Sequence, residues 1–199
     1  MTTNNAVNVG LSGATGSGSF VGATSPTLVT PTLGVATATT IAFSPTTGGI
    51  IGTTAADSAS AGNVGEYISS VIASGSAVSM SNFTAKTITS ISLTAGDWDV
   101  WGEVYISAAN TTTIAQVQGA INTTTNTIPT LPGDGVASQN LVTPTSANWV
   151  PQTSGVPSVS ISPCRINIST TTTIFLVGIA TFGTSTLSLY GKIAARRRR

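Results

Sequence analysis

Residues 93–106 constrain this chain more than any other stretch. They read Leu-Thr-Ala-Gly-Asp-Trp-Asp-Val-Trp-Gly-Glu-Val-Tyr-Ile. Gly96-Asp97 supplies turn chemistry, and from there Trp98, Val100, Val104 and Ile106 occupy even positions while Asp97, Asp99 and Glu103 occupy odd ones. Strict period two is the pattern of a β-strand with one face on a core. Three of the six acidic residues therefore project from one strand face, interleaved with Trp101 and Tyr105. That face is expected to be a binding surface or an interface.

Similar segments recur at short spacing from Ala61 onward. Strands are expected near 67–73, 76–80, 86–94, 97–107, 113–121, 158–162, 164–169, 173–182 and 186–196. Thr, Val and Ile suit a pleated strand, frequent Gly and Pro break any helical stripe, and the class predicted is all-β. Residues 62–199 are expected to form a jelly-roll-like antiparallel β-sandwich. The run 174–180 is apolar on both pleat faces, so a second cover is expected there, from the arm or a neighbouring subunit. Residues 123–157 form a long irregular section, and Trp149 on it reads as a partner anchor or a lid.

Residues 1–61 are written differently. They carry one charge, Asp57, and repeat Ser-Pro-Thr-Leu, Thr-Pro-Thr-Leu and Ser-Pro-Thr-Thr around Pro26, Pro31 and Pro45. Each proline removes a donor and biases its predecessor to extended geometry, so the segment reads as an arm. It buries too little apolar surface to offset roughly 1–2 kcal/mol of backbone entropy per residue. Such an arm is expected to hold a shape only where other polypeptides grip it, with Phe20, Pro26, Leu28, Pro31, Leu33, Phe43 and Pro45 as the anchoring positions.

Only 7% of the residues are charged, and the net charge is +1. So weak a charge gives little protection against association, and most copies are expected inside an assembly. The absence of histidine excludes histidine-based zinc sites and histidine-dependent triads within one chain. One cysteine, Cys164, excludes an intrachain disulfide and reads as a buried core thiol. No apolar run is long enough for a membrane helix, and residues 1–5 lack the features of a secretory signal, so cytosolic synthesis without membrane insertion is expected. The glycine-rich run 13–22 lacks the strand, the helix and the Lys-Ser/Thr of a phosphate loop. No cofactor, no metal and no catalytic residue is expected.

The arm, with Gly18-Ser19-Phe20 and the Ser25-to-Gly34 repeats, resembles the low-complexity repeats of tailed-phage tail-fibre and virion appendage proteins. Gly65-Glu66-Tyr67-Ile68 and Ile91-Ser92-Leu93-Thr94-Ala95-Gly96-Asp97-Trp98-Asp99-Val100 are similar to segments of phage fibre or appendage domains. The resemblance implies a homotrimeric virion protein, its arm fixed to a tail adaptor, nozzle or capsid shell and its β-rich head pointing outward. A short tail fibre recognising the host surface is the first expectation. A capsid decoration or head-fibre protein that clamps the shell is the alternative.

Asp97 and Asp99 lie about 6.6 Å apart along a strand, near the carboxyl spacing of inverting glycosidases, and Trp101 could stack a sugar. That makes a surface-glycan depolymerase a third reading. Adjacent same-strand carboxylates rarely converge on one bond, however, and sugar binding by Trp101 and Tyr105 asks less. Simpler still is pairing with basic residues: Lys192, Arg196 and Arg198 project from the face opposite Leu187, Leu189 and Ile193, which marks them as a subunit contact. A four-arginine run on a nearly neutral chain offers little to nucleic acid, and no nucleic-acid partner is expected.

Overall fold

The alternation at residues 96–106 becomes the longest strand among the described residues. The computed structural model describes residues 55–130, 140–142 and 157–199. In it β4 runs Gly96–Ala108, with Trp98, Val100, Val104 and Ile106 buried and Asp99, Trp101, Glu103 and Tyr105 half-buried on the opposite face. Around it lie β1 (Tyr67–Ile72), β2 (Val78–Ser79), β3 (Lys86–Leu93), β5 (Thr113–Asn122), β6 (Asn140–Val142), β7 (Ser158–Ile168), β8 (Thr172–Gly183) and β9 (Leu187–Arg197). The arm positions Phe20, Pro26, Leu28, Pro31, Leu33, Phe43 and Pro45, and Trp149, lie outside the described residues.

Among the described residues the strands form two antiparallel sheets. Sheet A has the order β1-β9-β4-β7, with β2 also on β9, and sheet B has the order β3-β8-β5-β6. The pairs β1/β9, β3/β8, β4/β7 and β5/β6 nest one inside the next, as in one long hairpin. Pairing of β4 with β9 and of β5 with β8 then rolls that hairpin into two layers. This is the jelly roll, and the expected all-β, jelly-roll-like sandwich is the fold observed. Leu93, Trp98, Val100, Val104, Ile166, Ile174, Leu176, Leu189 and Ile193 are fully buried in its core. At the centre of sheet A the backbones of β9 and β4 approach closely, and a Cβ on Gly191 would collide with the carbonyl oxygen of Glu103.

Two strands depart from the sequence expectation. Residues 158–162 and 164–169 were expected as separate strands broken at Pro163, but β7 runs through that proline. It can do so because β7 is an edge strand and carries a bulge there, where a missing N–H removes no ladder bond. The three-residue β6, paired with Val117, Gln118 and Gly119, lies inside the section expected to be irregular.

β8 is buried on its second face as well, at Val177. Val177 faces away from the sandwich core and is fully buried, as is Ala120 opposite it on β5. Residues 123–127 leave the end of β5 and are pinned to Thr87 of β3, on the far side of β8. The Thr87 N–H donates to Asn126 Oδ1 at 2.7 Å, and the Asn126 N–H donates to Thr87 Oγ1 at 3.0 Å. Asn122 Nδ2 donates to the Thr127 carbonyl at 2.8 Å and secures the near end. This strap joins the end of β5 to β3 on the face of β8 that carries Val177; the arm expected as cover lies outside the described residues.

Candidate functional site

The segment from Thr94 to Asp99 closes one end of the sandwich around Arg197. The Arg197 side chain is 5% exposed, its Nε donates to Glu66 Oε2 at 2.9 Å, and its guanidinium carbon sits 4.3 Å from the Trp98 ring centroid. Its two terminal nitrogens donate to the Ala95 carbonyl and to Thr94 Oγ1. Trp98 Nε1 donates to the Thr94 carbonyl at 3.0 Å. Gly96 has φ +147°, and a Cβ there would run into the Arg197 guanidinium, so only glycine lets the turn pass over it. Arg197 itself was not singled out from sequence. Its phase with Leu187, Leu189, Ile193 and Ala195 was the available signal, since period two puts it on the core face that Arg196 and Arg198 avoid.

The predicted face exists, but its two aspartates are occupied. Asp97 is 5% exposed and accepts from Arg165 Nε at 2.8 Å and Arg165 Nη2 at 3.0 Å, with Arg199 Nε at 3.1 Å. Asp99 pairs with Arg198 at 3.6 Å between half-exposed side chains, while Arg196 is exposed in register with Asp99. Ion pairing between the two polar rows was the simplest sequence expectation; Arg198 meets it at Asp99, whereas Asp97 is held by Arg165 and Arg199, which lie outside the basic row named from the sequence. Hydrogen bonding from Arg165 holds the Asp97 carboxyl below its ordinary range despite the opposing effect of burial, and the charges of Arg165, Arg199 and Arg198 add to it. A glycosidase acid needs the opposite shift, so Asp97 is poorly built to protonate a leaving group. Among the described residues no cluster of three or more Cys, Asp or Glu could hold a metal ion.

Glu66 is shifted the same way. Burial raises its carboxyl, but the Gly62 N–H and Arg197 together bring it below the ordinary value. Carboxyls depressed on folding contribute stability that is full above their unfolded values, about 4, and that is lost as pH falls through the folded values. The melting temperature is therefore expected to hold from pH 7 to about 5 and to fall below about pH 4. Calorimetry from pH 7 to pH 3 checks this; a midpoint that stayed level to pH 3 would contradict it.

The remainder of the face is a surface groove of about 480 Å³ between β4 and β7, lined chiefly by Trp101, Glu103, Ser160, Ser162, Pro163 and Lys192. Tyr105, also predicted, stands behind it: its hydroxyl donates to Glu103 Oε2 at 2.7 Å and its ring stacks on Tyr190 at 5.3 Å. That hydrogen bond to the Glu103 carboxylate raises the Tyr105 phenol above its usual value, with burial adding to the shift. Lys192, predicted as a subunit contact, borders the groove and lies 5.8 Å from the Tyr67 ring centroid. Cys164 is half-buried and packs against the core.

Fold and site together define a jelly-roll β-sandwich with a groove on the outer face of one sheet, an architecture shared by virus-shell, lectin and cupin domains. No protein-family model and no curated protein matches the chain. Among solved structures it is similar to a chain of the infectious bursal disease virus VP2 subviral particle, at 16% identity and a TM-score of 0.33, over 66% of this chain and 30% of that one.

Proposed function

We propose that this protein is a structural component of a phage virion, a short tail fibre or appendage. Residues 1–61 attach it to the particle, and the sandwich, assembled as a homotrimer, is displayed for recognition of the host surface. The observation that carries the reading is the nested jelly roll of residues 67–197, an architecture that recurs in virus shells. Because one fold hosts many functions, the reading also draws on the fibre-like repeats of the arm and on the outward face of sheet A. There Tyr67, Trp101, Tyr105 and Tyr190 gather polar and aromatic groups over a finished core.

Gold-labelled antibody against the chain, applied to purified virus particles, tests the location. Label at the tail is expected, together with a sedimentation mass near three chains of 19.8 kDa for the isolated protein. Label on the shell would move the protein to the decoration class. Unlabelled particles would end the virion reading.

A further inference from the structure

The groove exists because β7 carries one residue more than its partner. Between the pairs Val100–Cys164 and Gly102–Ile161, β4 advances two residues and β7 three. Ser162 and Pro163 lie in that bulge and form one wall, and Trp101 on β4 forms the other. The lining groups are braced from behind. Trp101 lies against Tyr67 at 6.1 Å between ring centroids, and the same Tyr67 ring supports Lys192. Glu103 is fixed by the Tyr105 hydroxyl, and Tyr105 by Tyr190. Side chains locked in this way lose little freedom when a ligand arrives.

The chemistry of the lining narrows the ligand. Glu103 and Lys192 are direct cross-strand partners in the register of β4 and β9, so the groove holds one negative and one positive group side by side. A charged ligand is attracted by one and repelled by the other. A hydroxyl group suits both, since it donates to the carboxylate and accepts from the ammonium. Ser160 and Ser162 add further hydroxyl partners. The Trp101 indole asks for a flat apolar surface. Several hydroxyls at the rim of a ring with an apolar C–H face describe a pyranose. Strand addition by a peptide is disfavoured here, because a bulge and a proline both spoil an edge for pairing.

We propose that the groove binds a neutral saccharide, stacked on Trp101 with adjacent hydroxyls shared between Glu103 and Lys192. This deepens the display role proposed above and rests on it for where the saccharide is met.

The test is binding of the full chain to immobilised neutral, uronic-acid and amino-sugar oligosaccharides. Retention on neutral oligosaccharides alone is expected, with affinity lowered about tenfold or more by Trp101→Ala and much less by Trp101→Phe. Glu103→Gln and Lys192→Ala are each expected to weaken binding while leaving the melting temperature near that of the parent. Binding to the uronic acids alone, to the amino sugars alone or to none of the three would overturn the proposal, as would unchanged affinity in Trp101→Ala and Glu103→Gln. Adhesion to host cells separates the two readings. Adhesion that neutral oligosaccharides fail to compete sinks the saccharide and leaves display standing; neutral-sugar binding without adhesion does the reverse.

Discussion

Glu66→Ala is expected to lower the unfolding free energy of the sandwich by about 3–5 kcal/mol, the usual result of removing one member of a buried ion pair. Both side chains are under a tenth exposed, at 5% for Arg197 and 8% for Glu66. The substitution strands the guanidinium in the end of the core with only the Ala95 carbonyl and Thr94 Oγ1 as acceptors. It also leaves the Gly62 N–H without its carboxylate acceptor. Replacing both partners, Glu66→Leu with Arg197→Met, is expected to do far less harm, because apolar groups of similar volume leave no charge uncompensated. Denaturant midpoints of the single and double variants decide the matter. A single variant within about 1 kcal/mol of the parent would show that the pair is not truly desolvated.

Trp98→Ala is expected to destabilise by a similar amount, about 3–5 kcal/mol, as large-to-small changes at fully buried aromatic positions do. Trp98 has no exposed surface, and it lies in register between Ile166 of β7 and Arg197 of β9. Its loss opens a cavity under the guanidinium and frees the Thr94 carbonyl that accepts from Nε1. Trp98→Phe keeps most of the packing and is expected to fall well short of the alanine effect. Because Trp98 and Arg197 are in contact, their substitutions should not add; a double-mutant cycle is expected to give a coupling of about 0.5 kcal/mol or more. Additivity within error would mean that the stacked geometry contributes nothing.

The strand pattern of this fold is open to a reader of the sequence because each face has one kind of neighbour. β4 has the core beneath it and solvent or arginine above, so period two survives intact, and the placement of Asp97, Asp99, Trp101, Glu103 and Tyr105 on one face followed from it. What escaped depends on partners distant in sequence. The groove arises from a mismatch in length between β4 and β7 that neither segment displays by itself. The strap from β5 to β3 depends on Thr87 meeting Asn126 across an intervening strand. β6 is three residues long, too short for any period to show. Arg197 is the instructive case: four identical letters in a row hide the alternation that separates it from Arg196 and Arg198.

The rolled hairpin also sets a timetable. The outermost pair joins Tyr67 to Arg196, and the ion pair beside it bridges 131 residues of chain. A ribosome finishes β1 long before β9 exists, and β9 is the strand against which β1, β2 and β4 all pair. Sheet A therefore cannot be knit during most of translation, and contacts of such long range place the fold among slow folders. Until its last strand is made, the nascent chain exposes the unpaired edge of β4, at the stage when neighbouring copies are best able to trap one another.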